Sequence, residues 1–266
     1  IDWNDRLIGI KGTRGVGKTT FLLQYAKEKF GTDRSCLFIN MNNFYFSGHS
    51  IVDFAYEFQR RGGKVLLIDQ VFKHPDWSKE LRLCYDRFPN LKIVFTGSSV
   101  MRLKEENLEL RDIVKSYNLR GFSFREYLNL QTGMKFRSYS LEEILSNHEQ
   151  IAKGILSKVR PLDHFQDYMH HGFYPFFLEK RNFSENLLKT MNMMVEVDIL
   201  LIKQIELKYL SKIKKLLYFL AVDGPKAPNV SQLANDIQTS RATVMNYIKY
   251  LADARLINMV YPKGRS

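Results

Sequence analysis

Short apolar runs alternate with stretches of helical periodicity over the first 120 residues of the chain. Five runs have the length and composition of strands, at residues 6–10, 35–40, 64–69, 91–95 and 115–119. Three segments with apolar side chains at helical spacing lie between them, at residues 18–30, 51–61 and 75–88. The third and fourth strand runs are apolar at nearly every position, as in strands buried on both faces. The alternation predicts a parallel, doubly wound α/β sheet with right-handed crossovers.

The pattern changes after Gly121, where helical periodicity continues without further strand runs. It is interrupted near Gly133, Pro161 and Gly172, and the last sixty residues show a shorter helix-turn-helix repeat. We therefore predict three domains. They are an α/β core at residues 1–122, an all-helical lid at 123–206 and a winged helix-turn-helix at 207–266.

The carboxyl-terminal segment has the caps and apolar stripes of three helices. Asn229 and Ser240 are the predicted N-caps of the second and third helices. The predicted inward side chains are Ile213, Leu216, Leu217, Leu220, Leu233, Ala234, Ile237, Val244, Tyr247, Ile248 and Leu251. The segment LINMVY at 256–261 predicts a strand of the wing. The residues predicted to contact a DNA groove or its phosphates are Arg241, Asn246, Lys249, Lys263 and Arg265.

Residues 12–19, GTRGVGKT, fill every fixed position of the phosphate-binding pattern GxxxxGK[ST], with a strand before them and a helix after them. The glycines allow successive backbone N–H groups to point inward, and the helix N-terminus adds partial positive charge. Lys18 can reach the β- and γ-phosphates of a nucleotide, and the Thr19 hydroxyl can coordinate Mg²⁺. We predict ATP and Mg²⁺ as ligands. The predicted ATP-binding residues are Gly12, Thr13, Arg14, Gly15, Val16, Gly17, Lys18, Thr19 and Thr20.

Asp69 ends the third strand run and is the predicted second Mg²⁺ residue, beside Thr19. Many P-loop ATPases carry a Glu at the next position, where it activates the attacking water. This chain has Gln70, whose amide can hold a water but cannot accept its proton at neutral pH. We therefore expect ATP to bind and hydrolysis to be slow. Gln70 is either native or an engineered replacement of Glu, and the intact remainder of the motif favours the replacement.

The fourth strand run ends in polar residues that would lie between the phosphate loop and Asp69. Ser98 or Thr96 is the candidate for contact with the γ-phosphate or its water, and Ser98 joins the predicted catalytic set. A run of Asp163, Asp167 and His170 at helical spacing fits an exposed helix face better than a metal site.

The segments GTRGVGKTT, VLLIDQVFKHPDW, KIVFTGSS and SYNLRGFSFREYL, in that order, resemble bacterial predicted ATPases of the AAA+ superfamily, near the archaeal-type and STAND-like ATPases. The resemblance extends through YMHHGFYPFF and the helix-turn-helix. It implies a P-loop NTPase core and a homo-oligomer that hydrolyses ATP at subunit interfaces with a neighbour's arginine. Arg111 is the candidate for that arginine, with Arg102 and Arg120 as alternatives. The relatives continue into a further domain, so we expect this chain to stop within the wing.

The net charge of the chain indicates the kind of partner it binds, and its composition indicates the cellular compartment. The chain carries +12 overall, and residues 203–266 hold eleven basic and four acidic side chains, which favours nucleic acid. No apolar run reaches the roughly 18 residues of a membrane span, and the first residues lack a signal-peptide pattern. Cys36 and Cys84 have neither CxxC spacing nor a nearby His, as in a reducing cytoplasm.

These observations predict a cytoplasmic AAA+ ATPase that acts as a nucleotide-dependent switch and engages DNA. The predicted catalytic residues are Lys18, Asp69, Gln70, Ser98 and Arg111. The alternative is a non-hydrolysing, ATP-gated scaffold whose winged helix binds protein.

Overall fold

A five-stranded parallel sheet organises the amino-terminal half of the chain in the computed structural model, which describes residues 1–261. Its strands are β1 (Leu7–Gly12), β2 (Cys36–Asn40), β3 (Val65–Asp69), β4 (Lys92–Ser98) and β5 (Lys115–Asn118). They pair in the order β2-β3-β4-β1-β5, and every pair is parallel. The five strand runs and the parallel α/β fold predicted from the pattern are confirmed. Because β4 lies between β1 and β3, the carboxyl ends of these three strands are neighbours.

Three helices connect the strands. They are α1 (Lys18–Lys29), α2 (Ile51–Arg60) and α3 (Trp77–Arg87), which confirms the three predicted segments to within two residues at each end. Short 3-10 turns lie at Phe44–Ser47, Val71–Lys73 and Leu108–Leu110. All five residues of β3 are buried, because helices cover both faces of the sheet.

Residues Arg120–Asn186 form a separate compact unit, here called the helical unit. Its helices are α4 (Phe124–Thr132), α5 (Leu141–Leu156), α6 (Pro161–Asp167) and the start of α7 (Phe183–Met193), with a π-helical turn at Tyr168–Gly172 and a 3-10 turn at Pro175–Glu179. Ser123 and Ser140 begin α4 and α5 with complete capping boxes. Aromatic rings, among them those of Phe124, Tyr127 and Tyr168, pack together inside the unit.

The chain after α7 continues as a π-helical turn at Met194–Ile199 and the short helix α8 (Leu200–Lys203). A 3-10 turn at Leu207–Tyr209 then leads into three helices, here called the terminal helices: α9 (Leu210–Asp223), α10 (Val230–Asp236) and α11 (Arg241–Asp253). The side chains of Asn229 and Ser240 cap α10 and α11 as predicted. The predicted inward residues are all buried or packed against the buried core.

The wing stays a prediction. The described residues 256–261 form no strand, which differs from the expectation for LINMVY. Lys263 and Arg265 lie outside the described residues.

The described residues from Leu187 to Tyr261 belong to the same compact unit as Ile1–Leu119. Residues 187–206, which the sequence pattern assigned to the lid, therefore group with the sheet and the terminal helices. The physical reason is a shared core, in which Met194, Ile199 and Leu200 pack with Val100, from the loop after β4, and with the inward face of the terminal helices.

Candidate nucleotide-binding site

The phosphate loop (residues 12–19) connects β1 to α1 through backbone conformations that favour glycine. Gly15 and Gly17 have φ angles of 84° and 90°, in the left-handed region. Gly12 is required for a different reason, because a Cβ there would lie 2.3 Å from the carbonyl oxygen of Leu119. These observations explain the glycine at all three positions, of which the phosphate-binding pattern fixes Gly12 and Gly17.

Lys18 is the first residue of α1, and its side chain folds back over the loop. Its Nζ donates hydrogen bonds of 2.8 Å to the carbonyl oxygens of both Gly12 and Thr13. The pKa of Lys18 is lowered to about 8, mainly by burial, while the charge of Asp198 raises it and the charge of Arg14 lowers it. The ammonium group is thus held at the loop, at the position from which a lysine reaches phosphate oxygens.

Asp69 lies at the end of β3 and accepts three side-chain hydrogen bonds. Its side chain is almost fully buried, with 1% of the residue exposed. The donors are Thr19 Oγ1 at 2.8 Å, Asn40 Nδ2 at 3.0 Å and Thr96 Oγ1 at 2.5 Å. The sheet produces this arrangement, because Asn40 pairs with Asp69 across β2 and β3, and Thr96 lies on the neighbouring β4. The two predicted Mg²⁺ residues, Thr19 and Asp69, are therefore in direct contact.

Gln70 follows Asp69 in a left-handed conformation, with φ of 57°. Such a conformation is uncommon for a residue with a side chain and is found often at functional sites. Its backbone N–H donates to Thr96 Oγ1 at 2.9 Å, which fixes the turn after β3. Thr96 therefore contacts both the carboxylate of Asp69 and the backbone of Gln70, so of the two alternatives on β4 it is Thr96 that contacts the Asp69 centre.

Ser98, the other candidate, has a partner that sequence reasoning missed. It is 2% exposed at the end of β4, and its Oγ donates to Asp198 Oδ2 at 3.2 Å. Arg14 of the phosphate loop donates to the other oxygen of Asp198 at 2.6 Å. Asp198 belongs to no recognised motif, and its position in an apolar helical segment was the only signal that could have marked it.

The three candidate arginines differ in their surroundings. Arg102 forms an ion pair with Asp253 of α11 at 3.0 Å, so it ties the loop after β4 to the terminal helices. Arg111 and Arg120 are exposed. Within residues 1–261 no hydrogen bond or ion pair joins Arg111 to the phosphate loop, so a role for it in the site would require a neighbouring subunit.

The residues present fit ATP and Mg²⁺. Two buried polar atoms of the loop, Thr13 Oγ1 and Arg14 Nε, have no hydrogen-bond partner among the described residues. Buried donors seldom stay unpaired, so an oxygen-rich anion is the ligand that suits them. The hydroxyl of Thr19 and the carboxylate of Asp69 are oxygen donors of the kind that Mg²⁺ prefers.

The remaining predicted contacts lie on the terminal helices. Arg241, Asn246 and Lys249 are exposed on α11, on the side away from the buried Val244 and Leu251.

Among the described residues, no three His, Cys, Asp or Glu side chains are grouped as a metal site would need. Within residues 1–261, no helix has the length and apolar character to cross a membrane.

Two families match parts of the chain. Residues 4–128 match the family described as AAA domain, and residues 162–266 match a domain of unknown function (DUF8612). The uncharacterized protein MJ1637 of the archaeon Methanocaldococcus jannaschii is 30% identical over 98% of this chain. The chain spans 58% of the length of that relative. The bacterial part of the resemblance is not confirmed by this archaeal relative.

Two solved structures are similar over most of the chain at low identity. AMPPCP-bound DnaA from Aquifex aeolicus has 14% identity and a TM-score of 0.35, over 95% of this chain and 83% of its own. The Orc1 protein of Aeropyrum pernix in complex with DNA has 11% identity and a TM-score of 0.38, over 98% of this chain and 80% of its own. The family match over residues 4–128 agrees with the phosphate loop at residues 12–19 and with the parallel sheet around it.

Proposed function

We propose that the protein is an ATPase of the AAA+ type that works as a nucleotide-dependent switch, with hydrolysis weakened by Gln70. The observation that supports this best is the contact between Thr19 and Asp69 beside the phosphate loop. It brings the two oxygen donors for Mg²⁺ next to Lys18, as transfer or hydrolysis of a terminal phosphate requires. The expected homo-oligomer and cytoplasmic location remain predictions.

In this proposal each residue has a separate task. The backbone N–H groups of the phosphate loop and Lys18 bind the phosphates. Thr19 and Asp69 would hold Mg²⁺, which would offset the negative charge of the phosphates. Thr96 fixes both Asp69 and the turn that carries Gln70. Gln70 can orient a water through its amide, but it leaves the water without a base.

The test is ATP binding and turnover by this chain, by Gln70→Glu and by Gln70→Ala. A general base contributes about 10²–10⁴-fold to a rate, so the Glu variant should hydrolyse ATP faster by a factor in that range. Gln70→Ala is the matched control, because it alters the same position without adding a base, and its turnover should not exceed that of this chain. If none of the three proteins binds ATP, the proposed function is wrong.

We further propose that the terminal helices engage DNA. The exposed Arg241, Asn246 and Lys249 share one face of α11, and their helix follows the turn after α10 as in a helix-turn-helix. Binding to duplex DNA should weaken steeply with salt, since each neutralised phosphate releases counterions. Fluorescence anisotropy of labelled duplex DNA across a salt series measures this.

This experiment compares two pairs of variants. The first pair, Arg241→Ala and Lys249→Ala, is the test. The second pair, Lys27→Ala and Lys29→Ala, is the control, and both of its residues are exposed at the end of α1. The first pair should weaken binding and reduce its salt dependence, and the second should change neither. The full chain is the right material, because the terminal helices share their core with Val100 and with residues 194–200. Binding that is unchanged between low and high salt would exclude this mode of contact with DNA.

One observation favours the alternative, a scaffold whose terminal helices bind protein. A cavity of about 750 Å³ opens between α9, α11 and residues 256–261, and it is lined mainly by apolar side chains such as Leu220, Val230 and Ile257. Met245, on the outer side of α11, also lines it. An apolar cavity suits a protein segment better than a phosphate backbone. ATP binding without turnover in Gln70→Glu, together with absent DNA binding, would favour this alternative.

A further inference from the structure

Asp198 is a buried acid that contacts the phosphate loop from a segment about 180 residues further along the chain. Only 3% of the residue is exposed, and it lies in the π-helical turn Met194–Ile199. Its two carboxylate oxygens accept from Arg14 Nη2 and Ser98 Oγ. Single π-helical turns occur often at functional sites, because they place one side chain where a regular helix would not.

The charges around Asp198 form one cluster with the residues expected to bind phosphate. Asp198 and Arg14 both influence the pKa of Lys18, in opposite directions, so all three lie within electrostatic reach of one another. Arg14 also has a buried Nε without a partner in the described part of the chain, and so does Thr13 Oγ1 beside it. The ion pair with Asp198 thus leaves donors of this loop unsatisfied, which points to a second anion that approaches the same arginine.

We propose that Asp198 is a positioning residue that makes the site sensitive to the terminal phosphate of the nucleotide. This inference rests on the proposed ATP binding. In the structure Asp198 holds Arg14, and a γ-phosphate next to Lys18 competes with the carboxylate for the same guanidinium. Two anions cannot share a partly buried arginine without mutual repulsion. Binding of ATP, unlike that of ADP, therefore weakens the contact of Asp198 with the loop.

The contact is placed so that its loss affects the terminal helices. Met194 and Ile199, at the two ends of the π-helical turn, are buried in the core that α9, α10 and α11 share. A shift of this turn changes the packing of that core. The phosphate loop and the terminal helices are therefore linked through one ion pair and one short helical segment.

The first test compares ATP and ADP affinity in this chain and in Asp198→Asn, at pH 6.5 so that Lys18 stays protonated. The amide keeps the size of the side chain and can still accept from Ser98, but it removes the competing charge. ATP should bind at least tenfold more tightly to the variant, and ADP should change by less than twofold. Asp253→Asn is the control. Asp253 forms an ion pair with Arg102, which joins the loop after β4 to the terminal helices, so this variant also removes the acid of such an ion pair. It should alter neither affinity.

The second test uses the unaltered protein, so it does not depend on how a variant folds. Hydrogen–deuterium exchange of residues 194–199 should be faster with the ATP analogue AMPPNP than with ADP. Equal exchange with the two nucleotides, or an equal change in ATP and ADP affinity in Asp198→Asn, would overturn the role of Asp198 and leave ATP binding intact. If the unaltered chain binds neither nucleotide, this inference and the proposed function fail together.

Discussion

The lowered pKa of Lys18 predicts that ATP binding depends on pH in a range where an ordinary lysine would not titrate. With a pKa of about 8, burial being the main cause, the charged fraction of Lys18 falls from about 90% at pH 7 to about 10% at pH 9. Only the charged form attracts phosphate, so affinity should fall about tenfold over this interval, or about 1.4 kcal/mol. Affinity should fall as the pH rises, because deprotonation of Lys18 removes the positive charge that attracts the phosphates.

The assay is a titration of ATP into the protein at pH 7, 8 and 9, with constant Mg²⁺ and ionic strength. Lys18→Arg is the control, because a guanidinium stays protonated throughout this range, and any affinity that it retains should not depend on pH. Equal ATP affinity of the unaltered chain at pH 7 and pH 9 would refute the assignment of a lowered pKa to the lysine that binds phosphate.

Three further predictions concern the loop, the strand ends and the terminal helices. Gly12→Ala should destabilise the protein by about 1–3 kcal/mol in urea unfolding and abolish ATP binding, since its Cβ meets a backbone oxygen, whereas Gly48→Ala enters open space and should be neutral. Thr96→Val removes a buried hydroxyl with two partners, so the free energy of unfolding should fall by about 1–3 kcal/mol. The Mg²⁺ concentration needed for ATP binding should rise. Leu251→Ala should lower the free energy of unfolding by about 2–5 kcal/mol, and Met245→Ala, exposed on the same helix, by no more than about 0.5; similar losses for both would mean that α11 does not pack as described.

The sequence predicted the parts of the site that local pattern determines. Residues 12–19 form their loop because glycine spacing and the adjoining strand and helix are encoded within one short segment. The burial of Asp69 follows from an apolar run that only a central strand can accommodate. The helix caps at Asn229 and Ser240 could also be predicted from the sequence, because each side chain accepts hydrogen bonds from backbone N–H groups only two or three residues away.

The rest of the site depends on contacts between distant segments, which a local pattern does not encode. Asn40 contacts Asp69 only because β2 and β3 pair in one register. Asp198 lies 184 residues from Arg14 and looks in sequence like one acid in an apolar helix. The division of the chain at Asn186 was missed for a related reason, since helical periodicity does not reveal which core a helix joins.

The core that Val100 shares with α9–α11 has a consequence for how the chain is made. Val100 is completely buried, yet its partners lie about 95 to 150 residues later in the sequence. At a synthesis rate of roughly 5–20 residues per second, about 8–30 s separate its appearance from that of Leu251. The helical unit emerges within this interval and has its own compact set of contacts, whereas the loop after β4 stays uncovered until α9–α11 have been synthesised. The apolar residues that follow β4 are therefore where a nascent chain of this protein most needs a chaperone.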